Sequence, residues 1–262
     1  MDTVISTDGT TIAYDRSGIG MPLVCVSPAL GLRANYEDLA RELSDHYQVI
    51  RYDRRGRGDS TDAIKPENAA CYRIEREIED LAAVIAAAGS EVAVLGYSSG
   101  ARLALEAAAA GLPISKIALY EPPFRPDASP TLAAIVAKLA DQIATGNPGD
   151  AIATFQTEAV GIPAEMVAGM RQSPMWTGLE AIAQTVVYDA TIASEPQVSE
   201  PIRRLPQPIL VLAGTQTWPM LIESARYVAD VIDHATLIEL PGGAHHQLEP
   251  ATTAAVLRDF LD

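Results

Sequence analysis

The sequence predicts an α/β fold: a mainly parallel sheet covered by helices on both faces and interrupted by a helical insertion. Three observations carry this expectation. Short β-branched or aliphatic runs, bounded by Gly, Pro or polar residues, recur along the chain; helical patterns separate most of them; and between Pro122 and Pro206 the strand pattern disappears while Ala-rich helical patterns continue. With 262 residues, 48% hydrophobic and 20% charged, the chain suits one large α/β domain with an insertion and not a disordered polymer.

The apolar runs are residues 23–27, 49–52, 92–96 and 117–120, followed by 209–213 and 236–240, and residues 11–14 read as an amphipathic strand. Near-continuous apolar strands separated by helices imply a parallel sheet buried on both sides. Tyr36, Leu39 and Leu43 give a short helical stripe. Ile74, Ile78, Leu81 and Ile85 give a longer one, with Arg73, Glu75, Arg76, Glu77 and Glu79 on the remaining, solvated surface. Arg73 and Glu77 have the i,i+4 spacing of an ion pair. Residues 99–110 are mostly Ala and Leu, which predicts a helix buried on most sides, and Gly111 and Pro113 stop it.

Residues 123–205 are read as a helical insertion, leaving residues 1–122 and 206–262 as the core. Its segments 131–144, 150–159 and 164–170 are divided by Gly146-Asn147-Pro148-Gly149 and Gly161-Ile162-Pro163, and Pro196, Pro201, Pro206 and Pro208 mark its end.

The 19 basic and 34 acidic residues leave a formal charge of −15, which disfavours nucleic acid and anionic membranes as partners. Cys25 and Cys71 form no C-x-x-C pair, so a disulfide framework and a structural zinc are both disfavoured. A reducing cytoplasm fits, the more so because the first residues lack a basic and an apolar region of a secretion signal. No apolar run approaches the ~20 residues of a membrane span.

Gly96-Tyr97-Ser98-Ser99-Gly100 is the strongest local signal. It follows the apolar run 92–95 and opens the Ala-rich helix, the context of a nucleophile elbow, in which a strained strand-to-helix turn exposes a serine hydroxyl. On these residues, on Asp53-Arg54-Arg55-Gly56-Arg57-Gly58-Asp59-Ser60 after the second apolar run, and on the histidine loop after the last, the chain resembles a lidded α/β-hydrolase along essentially its whole length. That resemblance implies an eight-stranded-type sheet with residues 123–205 as a cap (lid), and Ser98 as nucleophile.

A serine hydroxyl needs a general base. Of the four histidines, His46 and His234 fall where a solvated imidazole is expected. His245 and His246 follow Leu240-Pro241-Gly242-Gly243-Ala244, where the family carries its base. His245 is the expected base, with His246 as the alternative, because Leu248-Glu249-Pro250 is shorter than the usual family tail. The family's usual acid position, after residues 209–213, is empty: Gly214-Thr215-Gln216-Thr217-Trp218-Pro219 contains no carboxylate. One strand earlier the chain runs into Glu121-Pro122-Pro123. Zearalenone-type lactone hydrolases carry a Glu there, so the resemblance implies Glu121 as the triad acid, the competing role being a salt bridge to Arg125.

The oxyanion formed on attack calls for two backbone N–H groups, each lowering the barrier by roughly 3 kcal/mol. Ser99 is one expected donor. Relatives usually have His-Gly in the other loop, where this chain has Ser27-Pro28-Ala29-Leu30-Gly31; proline has no N–H, which leaves Ala29.

Haloalkane dehalogenases and epoxide hydrolases of this fold use an Asp nucleophile, which Ser98 disfavours. No dinucleotide or Walker A sequence occurs, and no metal set completes itself around the histidine pair, so no cofactor and no metal are expected. Phe124, Met166, Met170, Met175, Trp176 and Tyr188 in the insertion, with Trp218 and Met220 beyond it, are candidate walls for a mainly apolar substrate; Trp176, Tyr188, Trp218 and Met220 are the chosen substrate-binding residues. The resulting expectation is a cytoplasmic serine esterase or lactonase acting on an apolar small molecule through an acyl-enzyme on Ser98, with the oligomeric state undetermined. Acyl transfer, thioester cleavage or cyclisation by the same residues is the first alternative, and a non-catalytic small-molecule binding protein the second.

Overall fold

The computed structural model describes every residue except Ser90, residues 125–130 and Pro196. Arg125 and Pro196, singled out above, therefore lie outside the described residues. Eight strands form one sheet: β1 (Asp2–Ile5), β2 (Thr11–Ser17), β3 (Met21–Val26), β4 (Tyr47–Tyr52), β5 (Val92–Tyr97), β6 (Ile114–Tyr120), β7 (Ile209–Gly214) and β8 (Ala235–Leu240). Their spatial order is β1-β2-β4-β3-β5-β6-β7-β8. β1 and β2 run antiparallel and everything from β4 to β8 pairs in parallel. β1 has no counterpart among the expected strands: Val4 and Ile5 are its only strongly apolar residues, Ile5 is exposed, and edge pairing with β2 defines it.

The helices are α1 (Glu37–Leu43), α2 (Ile74–Ala88), α3 (Ser99–Ala109), α4 (Thr131–Ala144), α5 (Pro148–Thr154), α6 (Ala164–Arg171), α7 (Trp176–Glu180), α8 (Thr185–Ile192), α9 (Glu200–Arg203), α10 (Pro219–Val231) and α11 (Pro250–Leu261). Successive strand residues point to opposite faces. Val24, Val94, Leu119 and Val211 accordingly meet Leu81 of α2, Ala104 of α3 and Val228 of α10. Cys25, Leu95, Ala118 and Leu212 meet Leu43 of α1 and Leu257 of α11 on the other face. Both faces being covered, β5 and β7 are buried at every residue, which is why they read as continuous apolar runs.

Between β6 and β7 the described residues form helices only, α4 to α9, with a π-helical turn at Phe155–Val160 continuing α5. Leu139, Ile152, Trp176, Val186 and Tyr188 give this insertion a core of its own. No helix among the described residues is long and apolar enough to cross a membrane.

One charged face differs from the expectation. Glu77 is buried, and its partner is Arg54 at 2.5 Å, not Arg73. Asp80, also buried, pairs with Arg55 at 2.7 Å. Glu77 lies one turn from both Ile74 and Leu81, so the apolar stripe of α2 takes it inward. The turn after β4 meets it there with Arg54, Arg55 and Arg57, all at most 1% exposed. Unpaired, such charges would cost several kcal/mol each; paired, they tie α2 to the turn.

The β5-to-α3 junction depends on close backbone approach. A Cβ on Gly96 would stand 2.5 Å from the Ala101 Cα, and one on Gly100 2.7 Å from the Ser27 carbonyl oxygen. Gly100→Ala should therefore lower unfolding stability in urea by about 1–3 kcal/mol. The control Gly169→Ala, in α6 with open space around it, should be neutral or stabilising by about 0.5–1 kcal/mol. Equal midpoints for the two variants would contradict this account of the junction.

Candidate active site

Ser98 sits between β5 and α3 with φ 52° and ψ −121°. Its N–H donates to the Tyr120 carbonyl at 2.9 Å and its carbonyl accepts from the Ala101 N–H at 2.8 Å, so β6 and α3 hold the strained turn from both sides. The half-buried Ser98 lines a cavity of about 520 Å³ between the sheet and the insertion.

Glu121 is the residue immediately after β6 and is completely buried. One carboxylate oxygen accepts the Gly214 N–H at 2.9 Å; the other accepts the Thr217 hydroxyl at 3.1 Å and a hydrogen bond from His246 Nδ1. The loop after β7, empty of acids, thus cradles an acid supplied by its neighbour. A carboxylate can only accept, so Nδ1 bears a proton, and in the neutral imidazole Nε2 then keeps its lone pair. Gly214 and Gly243 make room for this: a Cβ on Gly214 would stand 2.6 Å from the Gly243 Cα.

The histidine that meets Glu121 is His246 and not the expected His245. Both have positive φ, 53° and 64°, and in so tight a turn neighbouring side chains diverge. His245 is exposed. The His246 ring lies edge-on to Tyr97 at 5.0 Å and stacks on Trp218 at 6.1 Å, and the Tyr97 hydroxyl donates to the His246 carbonyl. Burial, then the charge of Glu121, raises the Tyr97 phenol above its ordinary value, keeping it a donor.

Among the described residues, five other than glycine have positive φ: Leu30, Ser98, Glu121, His245 and His246. All but Glu121 line the cavity, and Glu121 bonds to one that does. Each such conformation costs on the order of 1–3 kcal/mol, and strain confined to one place is a mark of a functional site.

Ala29 and Ser99 line the cavity beside Ser98. Neither N–H meets a protein acceptor among the described residues, so both are free to meet a bound oxygen. Pro28 and Gly31 close the preceding turn through Gly31 N–H to Pro28 carbonyl, 3.1 Å. Trp218 and Met220 are in the wall with Phe124, Met166 and Met170. Trp176 and Tyr188 are not, which corrects the expectation for both. Trp176 is buried in the insertion, its Nε1 donating to Glu180 at 3.0 Å; Tyr188 stacks on Tyr72 and donates to Asp62 at 2.7 Å.

Sequence reasoning missed Asp189, which reaches the cavity from α8 although it is fully buried. It accepts from the Ser99 hydroxyl at 2.7 Å, from Arg54 at 2.9 Å and from Arg57 at 2.7 Å. Its only signal was position, a lone acid in the apolar run Val186-Val187-Tyr188-Asp189-Ala190.

A model of the alpha/beta hydrolase family matches residues 23–256. The chain belongs to the alpha/beta hydrolase family. It is similar over 100% of both chains to an alpha/beta hydrolase from Sphaerobacter thermophilus, at 42% identity and TM-score 0.88. A thermophilic esterase from Thermogutta terrifontis shares the fold at 22% identity and TM-score 0.77, covering 99% of this chain and 97% of the other. So does an enol-lactonase from Burkholderia xenovorans, at 21% identity and TM-score 0.72 over 99% of each.

In this hydrolase the site rests on buried charge. Burial alone would raise the Asp189 carboxyl, but Arg57 and Arg54 beside it hold it below its ordinary 3.8; Arg54, against the same burial, holds Glu77 below 4.5. Folded values below unfolded ones mean that this stabilisation is complete above about pH 5 and drains as pH falls through the lowered values. Urea unfolding between pH 7 and 3 should show stability falling with acid. Glu77→Gln should lose about 3 kcal/mol at neutral pH, since it leaves Arg54 short of a partner, and show a shallower acid slope. An acid slope identical to wild type in that variant would contradict the assignment.

Proposed function

We propose that the protein is a serine hydrolase that cleaves a carboxylic ester or lactone of a mainly apolar small molecule. The observation that carries this reading is the buried Glu121 bonded to His246 Nδ1 beside a cavity lined by Ser98 and two unengaged N–H groups. With Nδ1–H given to Glu121, the Nε2 lone pair takes the proton of the Ser98 hydroxyl as its oxygen attacks the carbonyl. The Ala29 and Ser99 amides receive the oxyanion. The imidazolium, stabilised by Glu121, protonates the departing alkoxide, and water delivered through His246 releases the acid from Ser98.

Residues 123–205 act in this reading as the cap over the cavity, and Phe124, Met166, Met170, Trp218 and Met220 favour an apolar acyl or alcohol part. The esterase and enol-lactonase sharing the fold support an ester or lactone as the bond broken.

A fluorophosphonate should label the wild type and fail to label Ser98→Ala. In assays over aryl esters, lactones and thioesters, the ester or lactone classes should turn over. Glu121→Gln and His246→Ala should each lower kcat roughly 10³–10⁴-fold, while His245→Ala stays within roughly tenfold of wild type. Full labelling of Ser98→Ala, or loss of activity in His245→Ala with His246→Ala still active, would overturn the reading.

A further inference from the structure

The two amides assigned to the oxyanion converge on one cluster of buried charge. The Arg57 Nη1 donates to the Pro28 carbonyl at 2.6 Å, and its Nη2 is held by Asp189 at 2.7 Å. The Arg54 Nη1 donates to the Ser27 carbonyl at 3.1 Å, to the Ser99 hydroxyl at 3.0 Å and to Asp189 at 2.9 Å. Arg54, Arg57 and Asp189 are at most 1% exposed.

The Pro28 carbonyl belongs to the same peptide unit as the Ala29 N–H. No peptide bond among the described residues is cis, so that carbonyl and that N–H lie in one plane and point in opposite directions. A guanidinium gripping the oxygen therefore sets where the N–H aims, and draws electron density toward the oxygen, which makes the N–H a stronger donor. Leu30, with φ 56°, leaves this turn in a conformation that a non-glycine residue does not hold unaided. Within the turn the same Pro28 oxygen accepts only the Gly31 N–H, at 3.1 Å, and Arg57 adds a shorter hold from outside the loop.

We infer that Arg57, clamped by Asp189 of α8, is a positioning residue that sets the direction of the Ala29 N–H, so that one carboxylate from the helical insertion braces both halves of the oxyanion site. Asp189 accepts the Ser99 hydroxyl on one oxygen and Arg57 on the other, and so links the residue after Ser98 to the loop after β3. Arg57 does not itself line the cavity; its influence passes through the Pro28–Ala29 peptide. Burial, then the neighbouring Arg54, holds the Arg57 guanidinium below its ordinary value, and Asp189 acts against that loss of charge. This inference rests on the reading of Ser98 and its two amides given above.

The test compares an ester with its thionoester, whose sulfur accepts hydrogen bonds poorly and so gains little from well-aimed N–H groups. In Arg57→Met, kcat for the oxygen ester should fall roughly 10- to 100-fold with KM within about threefold, and the oxygen-to-sulfur ratio of kcat/KM should fall by about tenfold or more. Arg57→Lys, which keeps the charge but cannot grip both partners, should fall between Arg57→Met and wild type. If Arg57→Met does not fold by circular dichroism, Asp189→Asn should move the ratio in the same direction. A merely structural role would lower both substrates equally, and an unchanged ratio in the folded variants would overturn the inference. A wild type that neither takes up the fluorophosphonate nor turns over esters would instead remove the Ser98 reading, and this one with it.

Discussion

The contact on which the rest of the site depends is the buried hydrogen bond between Glu121 and His246 Nδ1. A carboxylate without exposed surface is tolerable only when its oxygens are engaged, and here the partners come from two separated pieces of chain: Gly214 and Thr217 at and just after the end of β7, and His246 after β8. β6, β7 and β8 are consecutive neighbours in the sheet, so their carboxyl ends bring those pieces together. That edge is where open parallel sheets place their ligand sites. At the end of β6 the carboxylate reaches the imidazole that follows β8, and the acid-free segment at the end of β7 forms its hydrogen-bonding cradle.

Holding that contact requires backbone conformations that isolated chains avoid. Ser98, Glu121, His245 and His246 all have positive φ, and the surrounding structure over-determines Ser98, Glu121 and His246. Ser98 is pinned between β6 and α3, Glu121 donates its own N–H to the Leu212 carbonyl at 2.8 Å, and His246 is bracketed by Tyr97 and Trp218. The tightly packed sheet beneath them supplies the stability that this strain draws down.

What was legible in the sequence was what local pattern determines. The alternation of apolar runs and helices implied the parallel sheet. The G-x-S-x-G turn singled out Ser98 because the strand, the helix and the close approach of Gly96 and Gly100 are all encoded within a few residues. Glu121 drew attention through its place at the end of a strand together with the resemblance, and its carboxylate meets an imidazole in the fold. The choice between His245 and His246 was not, since adjacent residues of one tight turn are told apart only by contacts with Tyr97, Trp218 and Glu121, all distant in sequence. The arginines of the turn after β4 were also opaque: charged residues are expected at the surface, and nothing local says that Glu77 and Asp189 will meet Arg54 and Arg57 in the interior. Trp176 and Tyr188 illustrate the same limit, because a large aromatic in an insertion can serve its own core as readily as a cavity wall.

The most direct test of the central contact is the low-field proton NMR spectrum, in which an imidazole Nδ1–H bonded to a buried carboxylate resonates far from the amide envelope. The account predicts such a resonance in the wild type and in His245→Gln, and its loss in Glu121→Gln and His246→Gln. Its persistence in His246→Gln, or its disappearance in His245→Gln, would contradict the assignment of the pair.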